Sequence, residues 1–367
     1  MIILILLSAI ISTVVSVLLI RWAKGHARQY GGDKPQRFHT GDIPRVGGAA
    51  VLIGLICGWL LTAFDQFLGF NLNTNSNWTS NWPWMLIVLP SVLGGIFEDL
   101  TQRVSVSYRL LLTALSASLA CYFLDLSVVR LGFPMIDGWM AQAPWIGIAL
   151  AVIAICGLPH AFNIIDGYNG LAPIVAILIS FALIHVSLQL GDRQLAAILV
   201  ALSGATFGFL IWNYPRGLIF AGDGGAYLWG IIIAAGSIAL VQRHQEVSPW
   251  FPMLLLIYPV WETIFSMYRK SVRGVSPGVA DALHFHQLIY RRIVRGVFDD
   301  DEARKMLMRN NRTSPYLWSF TLLTVAPAVI FWNNSWVLLG FCILFVITYV
   351  SAYLMLVRFK VPNWLRR

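Results

Sequence analysis

The stretch His160-Ala-Phe-Asn163-Ile-Ile-Asp166-Gly-Tyr-Asn169-Gly-Leu-Ala172 sets a carboxylate, two amides and an imidazole between two long apolar runs. Gly167 and Gly170 within it let the backbone approach a ligand closely. An ionisable group at membrane depth costs about 2.5–3.5 kcal/mol, so chains keep such groups mainly where they face a cavity, a partner or an ion. A bland turn needs only Gly, Ser and Asn. Taken alone the stretch also fits a satisfied polar turn, and four further clusters decide between the readings.

The first, Asp33-Lys34-Pro-Gln-Arg37-Phe-His39 with Ile43-Pro-Arg45-Val-Gly47-Gly48, opens an apolar run with a guanidinium and exposed amides, groups that suit a phosphate. The second is the acid pair Glu98-Asp99 at the end of another run. A helix C-terminus is already negative, so adjacent carboxylates there call for a cation or for pairing with Arg103 or Arg109. The third, Phe220-Ala-Gly222-Asp223-Gly-Gly225, offers Asp223 as an oxygen ligand among glycines that leave room for an ion or a phosphate. The fourth, Asp281-Ala-Leu-His284-Phe-His286 through Arg291-Arg292, holds two imidazoles and two guanidiniums able to clamp a diphosphate.

The elements that must position these groups are membrane helices. Of 367 residues, 58% are hydrophobic and 12% charged, against about 25% charged in soluble globules. Apolar runs of spanning length lie near 1–20, 46–64, 84–98, 109–126, 144–162, 171–190, 194–213, 225–241, 250–268, 316–332 and 335–357. No basic residue precedes the first run, which reads as a span rather than a cleaved leader. The four cysteines fall in or at the end of apolar runs without ligand spacing and read as small hydrophobes.

Eleven crossings with the N-terminus outside and the C-terminus cytoplasmic place 23 Lys and Arg inside and only Arg130, Arg193 and Arg243 outside. That is a strong positive-inside bias. Apolar runs and basic residues alone define this topology, and all five polar clusters fall on its inner side. Asp99, Asp166 and Asp223 come from three separate inner loops, an arrangement able to converge on one metal. Hard oxygen donors with no Cys favour Mg²⁺ or Mn²⁺. The expected fold is an all-α, polytopic transmembrane bundle forming one domain over 1–367. Its loops 22–45, 99–109, 163–170, 214–224 and 269–315 would build the site. A secondary transporter would instead set its polar groups near the midplane on broken helices within internal repeats, and no repeat is seen.

Through Lys34-Pro-x-x-Arg37-x-His39, Pro44-Arg45-x-Gly-Gly48, Glu98-Asp99, Asn163-x-x-Asp166-Gly-x-x-Gly-Leu-Ala172, Phe220-x-Gly-Asp223-x-Gly225 and His284-x-His286, in this order, the chain resembles the polyprenyl-phosphate N-acetylhexosamine-1-phosphate transferases. Phospho-MurNAc-pentapeptide translocase is a more distant likeness. The resemblance runs from about Lys34 to Tyr290. It implies transfer of a sugar-1-phosphate from a UDP-sugar such as UDP-GlcNAc to undecaprenyl phosphate, with Mg²⁺, at the cytoplasmic face of the inner membrane. UMP is released, and the reaction starts a cell-envelope glycan of the O-antigen, common-antigen or teichoic-acid type.

In that reading Asp223 holds Mg²⁺, with Asp99 as second ligand or as the base that keeps the lipid phosphate ionised, and Glu98 shares this catalytic role of base or metal ligand. Asn163, Asp166 and Asn169 lie in the nucleotide-sugar region. His284, His286 and Arg292 balance charge on the leaving UMP, and Lys34 and Arg45 meet the lipid phosphate. The expected partners are the UDP-sugar, undecaprenyl phosphate and membrane lipid, with no nucleic acid; a homodimer stays open. The chain departs from the family pattern where Glu98 replaces the first Asp of the pair and Asn169 replaces a second Asp of its loop. The motif His284-Phe-His286-Gln287 also lacks a final His-His. These departures bear on the sugar more than on the reaction, and the missing triple-His motif argues against the pentapeptide translocase.

Overall fold

The computed structural model describes residues 1–23, 25, 42–70, 72, 74, 77–274, 283–294, 296 and 299–358. Among them the regular structure is helical. In chain order the helices are α1 (Ile2–Trp22), α2 (Gly47–Ala63), α3 (Asp65–Leu68), α4 (Trp78–Thr101), α5 (Val106–Phe123), α6 (Pro134–Gln142), α7 (Pro144–Ile165) and α8 (Leu171–Gln189). They continue as α9 (Arg193–Asn213), α10 (Gly222–Arg243), α11 (Trp250–Leu255), α12 (Ile257–Val272), α13 (Phe285–Arg292), α14 (Glu302–Ile330) and α15 (Ser335–Val357). Helices satisfy every backbone group internally, which is what a segment surrounded by lipid requires.

Among the described residues, nine helices are long and apolar enough to cross a bilayer: α1, α4, α5, α7, α8, α9, α10, α14 and α15. The chain is a polytopic helical membrane protein. Each of the eleven runs expected from sequence falls on helix, but two do not meet the same standard. The run 46–64 forms α2, an apolar helix of 17 residues. The run 250–268 is broken at Leu256 into α11 and α12. Pro259 explains the break: it has no N–H for the carbonyl four residues back, at Leu255, and its ring crowds that carbonyl.

The bundle is built around α10, whose residues from Gly222 to Ser237 are all buried. It packs against α4 and α7 most extensively and also against α2, α8 and α9. The helix α1 lies against α9 and α2. Its Leu4, Ser8, Ser12 and Ser16 recur every fourth residue and are fully buried, whereas Ile10, Val14 and Leu18 on the other side are exposed. The buried stripe meets glycines: a Cβ at Gly54 would stand 2.7 Å from the Ser8 carbonyl oxygen, and one at Gly208 would stand 2.2 Å from that of Ala9. Small residues at the seam let the two backbones approach closely, the usual way membrane helices associate.

Candidate active site

The N-terminus of α10 is where the polar clusters meet. Gly222 starts this helix at φ 71°, a left-handed conformation that L side chains resist, and a Cβ there would strike the Arg45 carbonyl oxygen and both Asp99 carboxylate oxygens. Two neighbouring helices close in through glycine as well. A Cβ on Gly48 of α2 would lie 2.2 Å from the Gly225 nitrogen, and one on Gly95 of α4 would lie 2.6 Å from the Gly224 nitrogen. Much of the glycine content thus serves contact between helices, where sequence chemistry assigned it to ligand access. Backbone bonds seal the junction: Gly47 donates to the Phe220 carbonyl at 2.8 Å, Gly48 to that of Ala221 at 2.9 Å, and Phe220 to that of Pro44 at 2.9 Å.

Glu98 and Asp99 lie in the last turn of α4, within the helix rather than in the loop after it. The positive partner expected for this pair proves to be, for Asp99, another helix. The buried Asp99 carboxylate accepts the Asp223 and Gly224 amides of α10, each at 2.9 Å. A helix N-terminus carries orphan amides and a partial positive charge, which suit a carboxylate. Glu98 is half-buried and turns back to accept the Val104 amide at 2.8 Å.

Asp223 carries a second set of partners. Asn163, at the end of α7, donates from Nδ2 to Asp223 Oδ1 at 2.7 Å. Arg109, at the start of α5, forms an ion pair with Oδ2, and Tyr227 donates to the same oxygen at 3.3 Å. Asp166 follows α7 in the turn to α8, and among the described residues no group donates a hydrogen bond to its carboxylate. Burial pushes this carboxyl up to about 7; the Arg45 guanidinium acts against that shift and the Asp223 carboxylate adds to it. Arg45 acts electrostatically on Asp99 as well. Asp99, Asp166, Asp223, Asn163 and Arg45 are therefore brought together. Lys34 lies outside the described residues.

Asn169 points elsewhere. Its Nδ2 donates to Asn311 Oδ1 at 3.0 Å, its backbone amide donates to Asn310 Oδ1 at 2.8 Å, and its carbonyl accepts from Ser314 at 2.6 Å. It ties the turn before α8 to α14. His160 likewise faces a neighbouring helix, 3.0 Å from Thr113 Oγ1 and edge-on to Tyr227.

The His motif sits on α13, a two-turn helix within the segment expected as a long loop. His284 caps its N-terminus, with Nδ1 3.0 Å from Glu262 Oε1. The His286 ring stacks on that of His284 with centroids 5.3 Å apart and planes 8° apart. It lies edge-on to Tyr168, and its Nε2 borders Gly167, so the motif reaches the 160–170 turn. Burial, and then His284, push the His286 imidazole down to about 3, so it is neutral at pH 7. Arg292 is half-buried at the end of α13, where Arg309 accounts for the free carbonyls of Tyr290 and Val294.

Among the described residues, no three His, Cys, Asp or Glu side chains are gathered as metal ligands. The donor chemistry still suits a hard divalent cation. Asp166 has open oxygens, and Asp223 is held by side chains that can exchange. Asp99 suits it less, since fixed backbone amides engage both of its oxygens. Sequence reasoning missed Tyr227 and Glu262 and named Arg109 only as a pairing partner. For Glu262 a signal existed: an acid in the middle of the predicted run 250–268.

A family model described as glycosyl transferase family 4 matches residues 81–241, the segment that holds Asp99, Arg109, Asn163, Asp166 and Asp223. The chain is similar to this family over that segment. It is 25% identical over 264 residues to the probable undecaprenyl-phosphate N-acetylglucosaminyl 1-phosphate transferase of Bacillus subtilis (strain 168), covering 69% of this chain and 68% of that one. It is 27% identical over 263 residues to the undecaprenyl-phosphate alpha-N-acetylglucosaminyl 1-phosphate transferase of Thermotoga maritima, covering 71% and 73%. It is also 29% identical over 308 residues to the phospho-N-acetylmuramoyl-pentapeptide-transferase of Rhodopseudomonas palustris (strain BisB18), covering 73% and 78%. The names of these relatives carry two kinds of sugar group, N-acetylglucosaminyl and N-acetylmuramoyl.

Proposed function

We propose that this protein is a member of glycosyl transferase family 4 that transfers an N-acetylhexosamine-1-phosphate, GlcNAc-1-phosphate or that of a related sugar, from its UDP derivative to undecaprenyl phosphate. An oxygen of the lipid phosphate attacks the β-phosphorus of the UDP-sugar. The bond from that phosphorus to the bridging oxygen breaks, UMP leaves with its electron pair, and polyprenyl-diphosphate-sugar forms. The observation that carries this reading is the meeting of Asp99, Asn163, Arg109 and Asp223 from four helix ends at the start of α10. Phosphoryl transfer needs positioning and charge neutralisation more than covalent chemistry, and this junction offers both.

Asp99 holds the α10 terminus in register, which fixes Asp223. Asn163 and Asp166 orient the nucleotide-sugar. Arg45, with Lys34, meets the lipid phosphate, while His284, His286 and Arg292 balance charge on the departing UMP. Mg²⁺, or Mn²⁺ in its place, would be held by Asp223 with Asp166 or Asp99 and would supply charge neutralisation for the diphosphate. The reaction would face the cytoplasm of a bacterial inner membrane, the side to which 23 of 26 Lys and Arg are assigned by eleven crossings with the N-terminus outside. There it would start a cell-envelope glycan. The test is purified protein in detergent with undecaprenyl phosphate, Mg²⁺ and a panel of labelled UDP-N-acetylhexosamines. Label entering the organic phase in step with UMP release supports the reading, and folded protein that transfers no sugar of the panel contradicts it.

A further inference from the structure

Glu262 is fully buried in α12, and both of its oxygens are engaged. Oε1 faces His284 Nδ1 at 3.0 Å and accepts the Phe285 amide at 3.2 Å, while Oε2 accepts the Tyr349 hydroxyl of α15 at 2.6 Å. If stability alone were at stake, well-packed apolar side chains would serve as well as a buried charged network. What a carboxylate adds is control of a ring: the nitrogen it faces must carry the proton, so the opposite nitrogen is the one left for a ligand.

We propose that Glu262 is a positioning residue of the transfer site, which fixes the tautomer and ring plane of His284 and, through Tyr349, ties that ring to the last helix. This rests on the reading of His284 and His286 as groups that balance charge on UMP. The chain of contact is continuous. Glu262 holds His284, the His284 ring stacks on His286, and His286 borders Gly167 and Tyr168 of the 160–170 turn. The two imidazoles are thereby unequal. His284 has a carboxylate behind it, whereas His286 is neutral and its Nδ1 makes no hydrogen bond among the described residues. The ionisable groups around Glu262 are His284 and His286 of α13, Tyr258 and Arg269 of α12, and Tyr349 and Tyr353 of α15. Arg269 also donates to the Leu283 carbonyl just before His284, which fixes the approach of the backbone.

The test combines kinetics with a spectroscopic readout. In wild-type protein labelled with ¹⁵N-histidine, the resonance lost in His284→Gln is expected to report a protonated Nδ1, and Glu262→Gln should shift it. Glu262→Gln should lower kcat about 10–100-fold, with both KM values changed by no more than about twofold. Glu262→Asp should recover part of kcat. A merely structural role would reduce the folded fraction and leave kcat and the His284 ¹⁵N resonance of the folded protein in place. Folded Glu262→Gln with wild-type kcat and an unmoved resonance, where His284→Ala is inactive, overturns the proposal. Should Glu262→Gln fail to fold, Tyr349→Phe must shift the His284 resonance and lower kcat, and an unchanged resonance there overturns it as well. Full transfer by His284→Ala and His286→Ala together would instead overturn the role given to the His motif.

Discussion

The Asp99 carboxylate caps the first turn of the helix that carries Asp223, accepting the Asp223 and Gly224 amides at 2.9 Å each. One acid of the site therefore holds the other in place, and the two substitutions separate. Asp99→Asn keeps one acceptor and turns an amide N–H toward a backbone N–H, which is expected to cost about 1–3 kcal/mol. Asp223→Asn keeps its amide bond to Asp99 and leaves Arg109 unpaired where water reaches it, so the loss is smaller. Both should abolish transfer. Thermal unfolding in detergent checks the ranking, and equal midpoints would contradict the cap.

The seam around α10 predicts a sharp contrast between glycines. Gly48→Ala and Gly95→Ala would each push a methyl into the α10 backbone and should cost about 1–3 kcal/mol or more. Gly157→Ala and Gly340→Ala meet nothing within 4 Å and should be neutral. The monodisperse fraction after detergent extraction distinguishes the two pairs.

Asp166 gives the pH dependence its sign. Its carboxyl is raised from 3.8 to about 7, so between those values the folded state binds more protons than the unfolded chain. Stability should therefore fall as pH rises from about 4 to about 7, and Asp166→Asn should remove that slope. If the ionised form orients the nucleotide-sugar, transfer rises over the upper part of the same range. Identical wild-type and Asp166→Asn stability slopes between pH 5 and 8 would contradict the shift.

The sequence made the apolar runs legible because lipid imposes length and hydropathy directly, and helix occurs within every expected run. It did not disclose the break at Leu256, since the composition of 250–268 is that of a span and only Pro259 hints otherwise. At the site, Asp99, Asn163, Asp166 and Asp223 stood out as polar residues at the ends of runs. Their partners did not. Arg109 meets Asp223 across 114 positions and Glu262 meets His284 from a different helix, and such pairings depend on packing that one sequence does not show.

Asn169 shows how that limits motif reading. Placed by motif with the substrate, its amide instead bridges to Asn311, whose own Nδ2 donates to the Pro215 carbonyl at 2.7 Å. Asn169→Asp, the substitution toward the family pattern, sets a carboxylate against the Asn311 oxygen. It is expected to cost about 1–3 kcal/mol. Asn311→Lys in the same background supplies a donor and should recover part of that loss. Chemical denaturation of the single and double variants reads the coupling, and an additive result would contradict the contact.

The most direct test of the account is UMP release and lipid labelling measured together in purified wild type and Asp223→Asn, with undecaprenyl phosphate, Mg²⁺ and UDP-GlcNAc or its N-acetylhexosamine relatives. One UMP is expected for each labelled lipid formed, and both are expected to be lost in Asp223→Asn while the protein stays folded. Wild-type rates of both in folded Asp223→Asn would contradict a site centred on the start of α10.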